Sequence, residues 1–332
     1  MIESLPAAIG MCLERIGASG ARVEPLTPDA SDRRYYRVRL PSGDRVVVAL
    51  HSAPFEPGTL PFPRVAELFQ AVPLPVPAVR RELPDLGILI LDDLGDVTLQ
   101  AHTGARPDHR HLALYEEAVD HLIRLQQRGA ELFDPQLEPF RLAFDVEKLM
   151  FEMDFFVRHF LEGCRGAVFQ PSEREALRAA LRAIVDPLAA EPRVLCHRDY
   201  HSRNLMLHDG RLFVIDFQDA RMGPDTYDLV SLLRDSYVDL PEPMVDALIA
   251  RFRRGRGTAE SDEAFGDRFR LMALQRNLKA LGTFGYQASA RGNPAYAAYV
   301  PRTLGYVRRT LETDARFARL RELLAPKVPE LQ

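Results

Sequence analysis

Between Val194 and Ala220 the chain reads VLCHRDYHSRNLMLHDGRLFVIDFQDA, a crowd of polar residues wedged between apolar, β-prone runs. His197, Arg198, Asp199, His201, Arg203 and Asn204 fall between RVLC and LMLHD, and Asp216 closes the run LFVID. A charged loop held this close to a core is costly unless its charges are paired or met by a bound ion or substrate. The segment therefore demands short strands that present the loop at the edge of a core, and something charged to occupy it.

Around this segment the chain divides by hydrophobic periodicity. Residues 4–18 have the spacing of a short amphipathic helix, stopped by ASG at 18–20. RRYYRVRL and RVVVAL, joined by PSGD, predict a hairpin; VPAVRREL and GILILDDL, joined by PDLG, predict a second strand pair. The helix RVAELFQ lies between them, after a proline-rich loop at 51–63. Beyond LDDLGD the pattern turns helical, over 110–128, 144–163, 172–190, 225–255 and 260–325. At 332 residues the chain exceeds what a single core usually serves. Two lobes are expected: an antiparallel-sheet lobe over residues 1–91 and a mainly helical lobe over 92–332, with a hinge at Leu91 to Gly95.

The net charge of −4 leaves no basic field for a nucleic-acid backbone or an anionic membrane. Cys12, Cys164 and Cys196 are odd in number and far apart, which argues against a disulfide framework or a zinc site and fits a reducing cytoplasm. Glu3 stands where a signal peptide carries positive charge, and no apolar stretch reaches membrane-spanning length. A cytoplasmic protein whose partners are small molecules or other proteins is expected.

Phosphoryl transfer needs a carboxylate to orient the attacking hydroxyl and oxygen ligands to fix Mg²⁺ against the phosphates. The pattern H-R-D-L-x-x-x-N followed by D-F-G supplies all three. His197-Arg198-Asp199 with Asn204 has the first spacing, and Asp216-Phe217 has the second at the end of a strand. Asp199 is thus the expected catalytic base, and Asn204 and Asp216 the expected metal ligands for a reaction using ATP and Mg²⁺. Each alone reads equally well as a turn or strand-end residue; the ordered combination does not. With it the expected fold class is α+β, a two-lobe protein-kinase-like fold.

HRDYHSRNLM with VIDFQDARMGPDTYDLVSLLRD resembles the aminoglycoside phosphotransferase and choline kinase group. DASDRRYYRV, ILILDDLGD, LQRNLKALGTF and PRTLGYV narrow the resemblance to bacterial kinases acting on the anomeric hydroxyl of N-acetylmuramic acid and N-acetylglucosamine during cell-wall recycling. The resemblance implies an amino-sugar substrate and a pathway link to a sugar-1-phosphate nucleotidyltransferase. A choline-like or aminoglycoside-like acceptor, or a nucleotide-binding pseudokinase, is the alternative.

Two departures bear on the nucleotide. RVVVALHS lacks the phosphate-pairing lysine of protein kinases, which the resemblance implies the anomeric sugar kinases also dispense with, and SDRRYYRV lacks glycine. Ser31 and Asp32 are expected to shape a turn facing the phosphates. Strand alternation turns only one of Arg33 and Arg34 inward, and Arg34 is taken as that cation. The adenine is expected on the hinge backbone around Asp92 and Leu94. For the acceptor, Arg203 in the loop and Gln275, Arg276 and Lys279 on a helix face are the expected contacts, the cations suiting a lactyl carboxylate. Asp228 is read as holding the loop's backbone in preference to touching substrate. His102, His109, His111 and His121 are read as solvated helix positions, and RFRRGRG at 251–257 as a helix end or exposed loop.

Overall fold

The computed structural model describes residues 5–26 and 33–332. Two units emerge, one of residues 1–97 with 206–218, the other of 98–205 with 219–332. The architecture is the expected protein-kinase-like one, with an antiparallel-sheet N-terminal region and a helical C-terminal region.

In the first unit five strands, β1 (Arg22–Leu26), β2 (Arg34–Arg39), β3 (Arg45–Leu50), β4 (Val79–Leu83) and β5 (Ile88–Asp92), form an antiparallel sheet in the order β1-β2-β3-β5-β4. β1 was not legible in the sequence: RVEPL carries a proline, which an edge strand tolerates because one side of it has no ladder to complete. Helix α1 (Ala7–Arg15) lays Ile9, Cys12 and Leu13 on one face of the sheet, against Tyr36, Val38, Val46, Val48, Leu50, Ile88 and Ile90. Helix α2 (Pro61–Ala71) follows the proline-rich loop. At the β4–β5 link Gly87 has φ +66°, and a side chain there would meet the Ala53 carbonyl oxygen at 2.6 Å.

The same unit takes in a later hairpin, β7 (Leu205–His208) and β8 (Arg211–Val214), turned by Asp209-Gly210, both with positive φ as a tight hairpin turn requires. Leu207 N donates to the Val97 carbonyl and Val214 N to that of Pro75, each at 2.8 Å.

The second unit is built from α3 (Leu99–Thr103), α4 (Leu112–Glu131), α5 (Glu138–Arg141), α6 (Val146–Phe156), α7 (Pro171–Ala190), α8 (Thr226–Leu233), α9 (Glu242–Arg256), α10 (Asp262–Ser289), α11 (Val300–Thr313) and α12 (Ala318–Leu324). Strand β6 (Arg193–Cys196) pairs antiparallel with β9 (Arg221–Pro224), the latter hidden in RMGP. The helices expected over 225–255 and 260–325 are each broken, the first before Pro241 and the second around residues 290–299. Helix α6 runs on into a π-helical stretch, Val157–Cys164. Helix α10 presses its backbone against the end of α6 and that stretch: a side chain at Gly285 would meet the His159 carbonyl oxygen at 2.5 Å, and one at Gly282 the Phe156 Cα at 2.8 Å. Among the described residues no helix is long and apolar enough to cross a membrane.

Candidate active site

The polar loop begins where β6 ends. Its backbone is tied down by two buried carboxylates. Asp228, fully buried on α8, accepts from the amides of His197 (2.6 Å) and Arg198 (3.0 Å). Asp235 accepts from the amide and hydroxyl of Ser202 (2.9 and 2.6 Å) and from the Tyr237 amide (2.8 Å). Burial pushes the Asp228 carboxyl up, and His197 with the two amides pulls it back. These bonds hold Arg198 at φ +88°, a conformation that costs a non-glycine residue energy. Tyr200 turns into the core, its hydroxyl on the Ala118 carbonyl at 2.8 Å.

Asp199 projects from this frame among cations. Lys279 Nζ lies 2.8 Å from Oδ1, Arg276 Nη1 4.0 Å from Oδ1, and Arg198 Nε 3.7 Å from Oδ2. Burial would raise the Asp199 carboxyl, but Lys279, Arg198 and Arg276 together outweigh it and hold the carboxyl well below the usual range. Burial in turn draws the Lys279 ammonium below its ordinary value, against the pull of Asp199. Arg198 also meets Asp219 at 2.6 Å. His201 is neutral: burial drives it down to about 3. Asn204 Nδ2 donates to the Asp199 carbonyl at 2.9 Å, so oxygen is the atom its side chain can offer a cation.

Asp216, in the first unit, follows β8 at φ +63° and is exposed, with Gln218 Nε2 on its Oδ1 at 2.9 Å. Its successor Phe217 is buried, its ring 4.7 Å from that of Phe62 and 5.3 Å from that of Phe69 on α2. A hard carboxylate oxygen at Asp216 and an amide oxygen at Asn204 have the chemistry magnesium accepts, an ion that takes one or two protein carboxylates and completes its shell with phosphate and water.

Several expected contacts need correction. Arg34 shares its side of β2 with Tyr36 and Val38, the face covered by α1, because alternate residues point to opposite faces. Arg33 stands over the Tyr35 ring at 6.0 Å, and the phenol, raised by burial, feels Arg33 and Asp216. Arg33 is thus the arginine on the Asp216 side. Ser31 and Asp32 lie outside the described residues. At the hinge, where the expected adenine contact is to the backbone, the Asp92 carboxylate accepts from the Ala78 amide (3.0 Å) and Arg80 (2.6 Å), and the carbonyl of the buried Leu94 is 3.2 Å from His208 Nδ1.

On α10 the expected acceptor stripe is turned into the protein. Gln275 is fully buried with Nε2 on Glu152 Oε2 at 2.9 Å. Arg276 is 8% exposed, gives Nε to Ser231 Oγ at 2.8 Å and stacks 4.8 Å over the Tyr227 ring. Helix α10 is buried on nearly all sides, so its polar residues are core groups that need partners within the protein. Lys279 and Arg276 both approach the loop at Asp199 Oδ1, Lys279 at hydrogen-bond distance and Arg276 at 4.0 Å. Arg203 stacks 4.8 Å over Tyr237.

Sequence reasoning missed Glu152, which is 4% exposed, and Lys148, 3.7 Å from it. The available signal was register: Glu152 falls on the helical face of Leu149, Met153 and Phe156, all buried.

A profile of the phosphotransferase enzyme family matches residues 22–265. An N-acetylmuramate/N-acetylglucosamine kinase of Neisseria meningitidis is 35% identical over 306 residues, 90% of this chain and 89% of the relative. A kinase of the same description from Pseudomonas aeruginosa is 33% identical over 92% of this chain and 88% of its own. In fold, the chain is similar to the macrolide 2′-phosphotransferase of Brachybacterium faecium, with TM-score 0.59 and 16% identity over 90% of this chain and 98% of that one. With the profile matching most of the chain and the likeness to these relatives running along most of its length, the chain belongs to the phosphotransferase enzyme family.

Proposed function

We propose that this chain transfers the terminal phosphoryl group of ATP to the anomeric hydroxyl of N-acetylmuramic acid or N-acetylglucosamine, in cell-wall recycling. The observation that carries the reading is the Asp199 loop: a carboxylate kept anionic by neighbouring cations, on a backbone tied down by buried acids. The near full-length likeness to two kinases named for these sugars supports the choice of acceptor.

Asp199 accepts a hydrogen bond from the sugar hydroxyl and aligns its oxygen with the phosphorus. So anionic a carboxylate is a weak base, which suits a loose transition state where the proton leaves late. Asn204 and Asp216 are the residues that would hold Mg²⁺, which when bound neutralises charge on the β and γ phosphates. Arg33 supplies positive charge in place of the missing lysine. The product, a sugar 1-phosphate, is the substrate class of a nucleotidyltransferase.

The test incubates the purified protein with labelled ATP and Mg²⁺ and, in separate reactions, the two sugars, choline and an aminoglycoside. Label on the sugar with loss of its reducing end is expected. Label on choline or the aminoglycoside alone, or tight nucleotide binding with no transfer, would overturn the reading.

A further inference from the structure

In the second half of the loop several side chains have partners other than the Asp199 carboxylate. Tyr200 is bonded to Ala118, Ser202 to Asp235, Arg203 lies on the Tyr237 ring, and Asn204 Nδ2 donates to the Asp199 backbone carbonyl. Arg198 is 3.7 Å from Oδ2, beyond a hydrogen bond, and spends its Nη1 on Asp219. The short contact to the carboxylate comes from 80 residues further along the chain: Lys279 Nζ on Oδ1 at 2.8 Å.

Lys279 is itself held rigidly. One turn before it, Arg276 is anchored to Ser231 and Tyr227. One turn after it, Gly282 and Gly285 bring the α10 backbone against residues 156–160 closer than any side chain would allow. A lysine on so fixed a helix is a directional donor. Oδ1 is thereby committed to α10, while Arg198 Nε stands 3.7 Å from Oδ2.

We propose that Lys279 is a positioning residue for phosphoryl transfer: its bond to Oδ1 holds the Asp199 carboxylate in the one orientation that presents Oδ2 to the sugar hydroxyl. The proposal rests on Asp199 being the base. It replaces the role of acceptor-carboxylate ligand that the sequence suggests for Lys279. A mispointed catalytic group costs on the order of 10²-fold in rate without loss of binding.

The experiment compares Lys279→Met and Lys279→Arg, each also in an Asp199→Asn background, with both sugars. Lys279→Met should lower kcat on the order of 10²-fold, with KM for ATP and for each sugar within about threefold of wild type. Lys279→Arg, which keeps a donor of similar reach, should recover most of kcat, and thermal unfolding of the Arg variant should match wild type. In the Asp199→Asn background Lys279→Met should add nothing, because the group it aims is gone. A rise in KM for N-acetylmuramic acid alone would return Lys279 to the acceptor and overturn the proposal. So would losses that multiply in the double variant. If Asp199→Asn itself leaves kcat intact, the base assignment fails first, and that result is distinct from either of the others.

Discussion

Asp228 Oδ2 lies 2.6 Å from the amide nitrogen of His197, and its Oδ1 lies 3.0 Å from that of Arg198. One buried carboxylate thus sets both the entry of the loop and the left-handed turn at Arg198 that aims Asp199. Asp228→Asn keeps the shape but has one acceptor oxygen for two amides. Leaving a buried amide unsatisfied costs about 1–3 kcal/mol. Denaturant unfolding should show that loss, and kcat should fall about tenfold or more because the loop is no longer held.

Asp199→Asn should lower kcat and kcat/KM together, by about 10² to 10⁴. Nucleotide affinity by calorimetry should stay near wild type. A loss of only a few fold would remove Asp199 as the base.

Asp216→Ala should act on the other quantity. It should weaken ATP binding in the presence of Mg²⁺ at least tenfold, a figure on the order of one lost charge-assisted contact, and leave binding measured in excess chelator almost unchanged. Equal affinities with and without the substitution in Mg²⁺ would take Asp216 out of the metal site.

His201 gives the loop a pH signature. Burial lowers it from the ordinary value of about 6.5 to about 3 in the folded chain. Between those values the unfolded chain binds a proton that the folded one refuses, so stability falls as pH falls, by at most about 1.4 kcal/mol per pH unit. His201→Gln should flatten the stability profile between pH 6 and pH 4, measured by urea unfolding at fixed ionic strength. An unchanged slope would mean the ring is protonated in the native state.

Gly285→Ala places a methyl 2.5 Å from the His159 carbonyl oxygen. Backbone sits on both sides of that contact, so relief requires α10 to move. Overpacking of this kind costs about 1–3 kcal/mol, and because α10 carries Lys279, kcat should fall with stability. Gly266→Ala, on the same helix but facing only the end of Arg270, should leave both near wild type.

The family and fold were legible because the pattern that carries them is local: Asp199, Asn204 and Asp216 sit on one stretch of chain, and the paired strands and helices around them follow simple periods. The contacts made across sequence were not. Gln275 and Arg276 are polar at helical spacing and read as a solvent or acceptor face, yet α10 is buried on nearly all sides and both are core residues. Arg33 and Arg34 differ by one step of a strand, and only the register with Leu50 and the side taken by α1 decides between them. β1 and β9 escaped notice since RVEPL and RMGP carry little strand propensity and are strands by virtue of their partners.

The discontinuity of the first unit bears on how the chain is made. Residues up to Val97 leave the ribosome before residues 206–218, but the carbonyls of Pro75 and Val97 receive their donors from Val214 and Leu207. The sheet unit therefore waits, during synthesis, for more than a hundred residues of helical chain before its last hydrogen bonds can close. Domains that fold as they emerge normally do so from the N-terminus onward. Here the order of completion is reversed: α4, α6 and α7 are already outside when the hairpin that finishes the earlier unit arrives, and a nascent chain stopped short of Val214 carries a five-stranded sheet without the β7–β8 hairpin that belongs to its unit.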